Sequence, residues 1–132
     1  MGHIEIDIER IRKCVDTLVM KAKEEIPLMP TETQSIQHYP IKMDFYINEI
    51  PFVLSFSCSP PLVTDTCRFM MISCDVTIPT YGIALERPSI YKSVDEILQE
   101  LEKDLTKESI IKDFVDLLED IDFNYGHVLF YK

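Results

Sequence analysis

The sequence predicts an α+β fold in which helices pack on one face of an antiparallel sheet of about four strands. Apolar residues recur every three or four positions near both ends of the chain, as in helices with one buried stripe. In the middle third they alternate with polar residues, as in half-buried strands. The strands follow one another directly, which favours antiparallel pairing. The predicted order is α-β-β-β-α-α-β, within one domain of residues 1–132.

The first helix is predicted from Asp7, which is a capping residue, to about residue 25. Pro27 disfavours helical geometry in the residue before it, so the helix should end there. Residues 4–8 also alternate, and a short strand before the helix is the alternative at this point.

Residues 41–58 predict a β-hairpin. A two-residue turn at Asn48 and Glu49 would place the apolar residues of both arms on one face of the sheet. Glu49 stands where such a turn usually prefers glycine, so a longer or bulged turn is the alternative. The predicted cross-strand pairs are Ile41 with Phe56, Met43 with Leu54, Phe45 with Phe52, and Ile47 with Ile50.

The rest of the chain predicts one more central strand, two helices and a last strand. Alternation continues over residues 67–78, whereas 79–92 contain a glycine and a proline with little periodicity and are predicted to form a long loop. Residues 93–96 form a capping box, which predicts the start of a helix. Thr106 is a candidate cap for a second helix, and residues 127–131 are predicted to form the final strand.

The four cysteines are predicted to be reduced thiols that mostly fill core positions. Cys67 and Cys74 lie seven positions apart on one strand, so their side chains point to opposite faces and cannot share a metal ion. Cys58 shares the core face with Cys74, but no CxxC pair or nearby histidine completes a zinc site. The alternative is a reactive thiol, for which Cys67 beside Arg68 is the candidate because a neighbouring cation stabilises a thiolate.

No sequence motif predicts a catalytic residue, a cofactor or a metal ion. Only three glycines are present, which excludes glycine-rich phosphate loops, and the three histidines are isolated. The stretch 120–126 places oxygen side chains at alternate positions as in a calcium loop. Its glycine comes one residue late, however, and Tyr131 stands where a bidentate carboxylate is needed.

Charge is concentrated in one segment. Residues 93–122 contain eleven acids and three lysines, which accounts for −8 of the net charge of −10. This field disfavours nucleic acid and attracts a basic partner, although a solvated helical surface is the simpler interpretation. The longest uncharged runs are too short and too polar to cross a membrane. The polar start of the chain favours a cytoplasmic protein.

Apolar side chains are also expected on the sheet face opposite the core, where such patches are typical of interaction sites. The last strand, the first helix or the 79–92 loop could instead cover them. The candidate interface residues are Tyr46, Val53, Phe69 and Met71. The register behind this prediction pairs Phe56 with Met70 and Leu54 with Ile72.

These features predict a small acidic, non-catalytic protein-interaction module, such as an adaptor, a chaperone-like protein or a regulatory subunit. Its expected partner is another protein with a basic surface, and self-association through the sheet face is also expected. The alternative is an enzyme or small-ligand binder with a pocket under the 79–92 loop, where Tyr81, Arg87 and Tyr91 would contact the ligand.

Overall fold

The computed structural model describes residues 4–28, 39–58, 62–63 and 68–130. It confirms an α+β fold with an antiparallel sheet between an amino-terminal helix and two carboxy-terminal helices. Short 3-10 turns follow the first helix and the fourth strand. The elements are α1 (Ile8–Glu25), β1 (Tyr39–Ile47), β2 (Ile50–Cys58), β3 (Leu62–Val63), β4 (Arg68–Ile78), β5 (Ile83–Ser93), α2 (Val94–Glu100) and α3 (Asp104–Leu129).

The prediction of a loop over residues 79–92 is wrong, because β5 occupies Ile83–Ser93 and pairs antiparallel with β4. Two features hide this strand from a search for alternation. Arg87 and Lys92 are charged, yet both lie on the side of the sheet that faces the helices, where they bind acids of α3 and α2. A bulge at Ser89 also shifts the two-residue period halfway along the strand.

The prediction of a final strand is also wrong, because α3 continues to Leu129. The apolar residues near the end of the chain extend the buried stripe of this helix, since Leu129 follows Ile121 by two turns and both are buried. The stretch compared with a calcium loop is therefore helical, and the Asn124 side-chain amide donates to the backbone carbonyl of Asp120 at 2.8 Å. The observed element order is α-β-β-β-β-β-α-α.

The β1–β2 hairpin has the predicted register, from Ile47 opposite Ile50 to Ile41 opposite Phe56. Its two-residue turn is formed by Asn48 and Glu49, whose φ angles of 48° and 68° are both left-handed. The four long strands lie in the order β1-β2-β4-β5. The short β3 pairs with the start of β4, beyond the end of β2.

The predicted register between β2 and β4 is wrong by four residues. Phe56 faces Cys74 rather than Met70, and Leu54 faces Val76 rather than Ile72. A shift by an even number of residues keeps every apolar side chain on the same face, so alternation cannot distinguish these registers. The register decides which side chains are neighbours on the face of the sheet that points away from the core.

The core lies between the helices and one face of the sheet, which we call the inner face. Within the core, the ring of Phe56 of β2 stacks on that of Phe114 of α3, with centroids 6.1 Å apart and planes inclined by 20°. Buried stripes of α1, α2 and α3 complete the same hydrophobic cluster. The buried residues of the inner face are Ile41, Phe45, Ile47, Phe52, Leu54, Phe56, Cys58, Met70, Ile72, Cys74, Val76 and Ile78.

Candidate functional site

The opposite side of the sheet, which we call the outer face, carries all four candidate interface residues, but they do not form one patch. Tyr46 and Val53 lie at the end near the β1–β2 turn. Val53 faces Thr77, which is eight positions along β4 from Phe69, or about 26 Å at the usual rise of a strand. Phe69 and Met71 therefore lie at the other end of the face.

Phe69 and Met71 instead meet Tyr91, a residue that the sequence assigned to a different candidate site. The rings of Phe69 and Tyr91 are stacked, with centroids 6.2 Å apart and planes inclined by 20°. Met71 is directly opposite Tyr91 across the β4–β5 ladder. Phe69 and Met71 are half-buried, whereas 65% of Tyr91 is exposed. We call these three residues the Phe69–Tyr91 cluster.

Beyond this cluster the outer face becomes polar and acidic. Asp75 of β4 and Glu86 of β5 are directly opposite each other; Glu86 is exposed, whereas one carboxylate oxygen of Asp75 is buried. Asp44 adds a third acid on β1, and Lys42 is the one lysine or arginine among the outer-face side chains that the structure describes. The outer face is thus an aromatic end joined to an acidic centre.

The free edge of β1 is covered by side chains of α1. Pro51 has no N–H and faces Tyr46, so the backbone groups of Tyr46 point toward the edge of the sheet. The Arg10 guanidinium donates to the Tyr46 carbonyl at 3.1 Å. The carbonyl of Lys42, four positions before Tyr46 on β1, accepts a hydrogen bond from the Lys21 amine at 3.3 Å. Both carbonyls would be needed by an added strand, so pairing at this edge is disfavoured.

The free edge of β5 is interrupted in a different way. Pro88 lacks an N–H, and the next residue, Ser89, forms the bulge. Prolines and bulges at an edge both discourage the pairing of a further strand. With both edges protected, the faces of the molecule are better candidates for binding than its strand edges.

The three residues proposed for a ligand pocket are separated. Tyr81 is exposed in the turn between β4 and β5, and Tyr91 belongs to the outer face. Arg87 lies on the inner side, where its guanidinium binds Asp116 at 2.7 Å and lies 3.8 Å from Asp113. The hydrogen bond to Asp116 raises the pKa of Arg87. Arg87 therefore links β5 to α3.

A shallow groove of about 300 Å³ lies between β5 and the start of α3. Its central carboxylate, Glu100, accepts hydrogen bonds from Lys103 at 2.8 Å and from Thr106 at 2.9 Å, and pairs with Lys92 at 3.2 Å. Lys103, then Thr106, then Lys92 lower the pKa of Glu100 to about 2. The three contacts of Glu100 link α2 to β5 and to the start of α3. A carboxylate with so low a pKa is a poor proton acceptor.

The described cysteines are buried. Burial raises the pKa of Cys58 to about 12 and also raises the pKa of Cys74, so neither is a thiolate at neutral pH. No group of three or more metal-binding side chains occurs in residues 4–28, 39–58, 62–63 and 68–130. Cys67, the candidate reactive thiol, lies outside these ranges.

The acidic segment 93–122 is partly neutralised within the fold. Cations of α1 and β5 bind five of its acids, which reduces the charge available to a partner. The ion pairs are Arg12 with Glu108, Lys23 with Glu102, Arg87 with Asp113 and Asp116, and Lys92 with Glu100.

The chain matches no protein-family model, no curated protein and no solved structure. No helix in the part of the chain that the structure describes is both long enough and apolar enough to cross a membrane.

Proposed function

We propose that this protein is a non-catalytic protein-interaction module that binds a basic partner protein through its outer face. The observation that supports this most is the Phe69–Tyr91 cluster, which places a stacked aromatic pair and a methionine on the side of the sheet away from the core. Aromatic residues and methionine are enriched at interfaces, and tyrosine is frequent among the residues that dominate binding energy.

The charge of the outer face supports a basic partner. Asp75 lies four positions from Met71 on β4, about 13 Å away, so one interface of ordinary size can cover both the aromatic and the acidic parts. The exposed carboxylates of Glu86 and Asp44 are the groups that a cation of the partner would meet. A net charge of −10 also favours a basic protein over nucleic acid. A cytoplasmic location belongs to the same proposal.

A second copy of the chain is the competing occupant, because self-association through this face is also expected from the sequence. Face-to-face pairing of two copies would bring the exposed Asp44 and Glu86 carboxylates of one copy toward those of the other, and Lys42 is the one described outer-face lysine that could offset them. This repulsion favours a different, basic protein. Tyr81, Arg87 and Tyr91 do not meet, and only Tyr91 of the three lines the shallow groove between β5 and α3, so the interaction module is preferred to the small-ligand alternative.

The proposal is tested by Tyr91→Glu, with Tyr81→Glu as the matched control. Both tyrosines are exposed and receive the same charge, but only Tyr91 belongs to the Phe69–Tyr91 cluster. Proteins captured from an extract of the native cells by each variant would be compared, and binding of each captured protein would be measured again with purified components.

We expect a basic protein that binds the wild type and the Tyr81 variant, binds the Tyr91 variant at least about tenfold more weakly, and dissociates as salt rises. A partner lost equally from both variants would contradict the proposed surface. A concentration-dependent dimer that only Tyr91→Glu dissociates would replace the basic partner by a second copy.

A further inference from the structure

The most exposed large apolar side chain in the described chain lies on α3, far from the outer face. Phe123 is 88% exposed, although it lies within the long helix. Glu119, Asp120 and His127 stand three or four positions from it and are also exposed, so the four residues share one side of the helix. We call them the Phe123 strip.

The acids of the Phe123 strip differ from those that the fold neutralises. Neither Glu119 nor Asp120 forms an ion pair with a lysine or arginine of the described residues. Asp120 lies close enough to Arg87 to raise the pKa of that residue, but Asp116 holds the guanidinium. The free negative charge of the second half of α3 is therefore greatest beside its most exposed aromatic ring.

The Phe123 strip and the outer face lie on opposite sides of the molecule. The buried side of α3 packs on the inner face of the sheet through Phe114, so the exposed side of the helix points away from the sheet. Two proteins could thus be bound at the same time without touching each other. An exposed ring flanked by acids complements a basic amphipathic helix, which presents apolar side chains bordered by lysine or arginine.

We infer that the Phe123 strip is a second docking surface, which packs Phe123 against the apolar side of a basic amphipathic helix of a partner protein. Together with the outer face it makes the protein an adaptor that joins two basic partners. The strip is distinct from the outer face, so either surface can be lost without the other.

The test uses amide NMR spectra of the full chain during titration with a synthetic amphipathic helical peptide of leucine and lysine. The same peptide with glutamate in place of lysine is the control for charge. The variants are Phe123→Ala, the double change Glu119→Gln with Asp120→Asn, and Tyr91→Glu for the outer face. Phe123 is exposed, so its replacement should leave the fold intact.

We expect the lysine peptide to shift the signals of residues 119–128, and the glutamate peptide to leave them unchanged. Phe123→Ala should weaken binding at these residues about tenfold or more, and the double amide variant should reduce its dependence on salt. Tyr91→Glu should change only shifts on the outer face. Unchanged signals at residues 119–128, equal binding of both peptides there, or equal affinity of Phe123→Ala and wild type would each overturn the inference, whatever occurs on the outer face.

Discussion

Replacing Phe114 by alanine tests the packing that places the two surfaces on opposite sides of the molecule. Phe114 is fully buried and stacks on Phe56 at 6.1 Å, so the change removes a ring from the contact between α3 and the sheet. The loss of burial and the cavity should cost about 3–5 kcal/mol in the free energy of unfolding. That is a large share of the roughly 7–20 kcal/mol expected for a chain of this length.

Phe123→Ala is the matched control, because it makes the same substitution in the same helix at a position that is 88% exposed. It should change the free energy of unfolding by no more than about 0.5 kcal/mol, and alanine's helix propensity can make it slightly stabilising. Urea denaturation followed by circular dichroism measures both. Equal losses for the two variants would refute the assignment of the buried and exposed sides of α3.

Three further predictions concern backbone conformation, pH and thiol chemistry. Glu49 and Gly82 have left-handed φ angles of 68° and 65°, which glycine adopts without strain. In urea denaturation, Glu49→Gly should therefore raise the free energy of unfolding by up to about 1 kcal/mol, and Gly82→Ala should lower it by about 1–2 kcal/mol. Opposite signs would disprove the turn geometry. Lys103, then Thr106, then Lys92 hold the pKa of Glu100 at about 2, below its ordinary 4.5, so Glu100 stabilises the fold above pH 4.5 and loses this effect as pH falls toward 2. Glu100→Gln should therefore be less stable than wild type at pH 7, with a difference that shrinks over that window, and a constant difference in urea midpoints would contradict the assignment. Because burial raises the pKa of both thiols, Cys58 and Cys74 should be alkylated at pH 8 at least about a hundredfold more slowly in the native protein than in urea. Peptide mass spectrometry measures both rates, and equal rates would show that the thiols are accessible.

The sequence predicted the fold class and the β1–β2 hairpin because a two-residue turn and strict alternation together fix a register. Nine residues separate β2 from β4, so no two-residue turn determines their register, and pairing Phe56 with Met70 or with Cys74 leaves the same residues on the core side. Alternation therefore located the inner face correctly but could not determine which outer-face residues meet.

The strand β5 and the end of α3 were missed for two physical reasons. On β5 the charges of Arg87 and Lys92 are satisfied by acids of the helices, so polar residues occupy inward positions, and the bulge at Ser89 changes the period. At the end of α3, Gly126 does not end the helix, so most of the residues predicted to form the final strand continue the helical period.

The fold class could be predicted from the sequence, whereas most of the candidate surfaces could be identified only from the structure. Phe69 and Met71 were predicted on the outer face, but their meeting with Tyr91 depends on a strand that the sequence did not reveal. Phe123 could have been recognised, because it falls off the buried stripe of α3. The structure was needed to see which acids of the helix are neutralised. Lysines and arginines pair with Asp113 and Asp116, whereas within the described chain Glu119 and Asp120 form no such ion pair.

Methyl NMR of the protein carrying ¹³C-labelled methionine, with a purified partner added, tests the proposed outer-face interface most directly. Met71 belongs to the Phe69–Tyr91 cluster, whereas Met20 is 61% exposed on α1, so the two methyl groups report on different surfaces. Binding at the outer face should shift or broaden the Met71 signal and leave Met20 unchanged. A partner that binds while the Met71 signal stays in place would contradict the proposal.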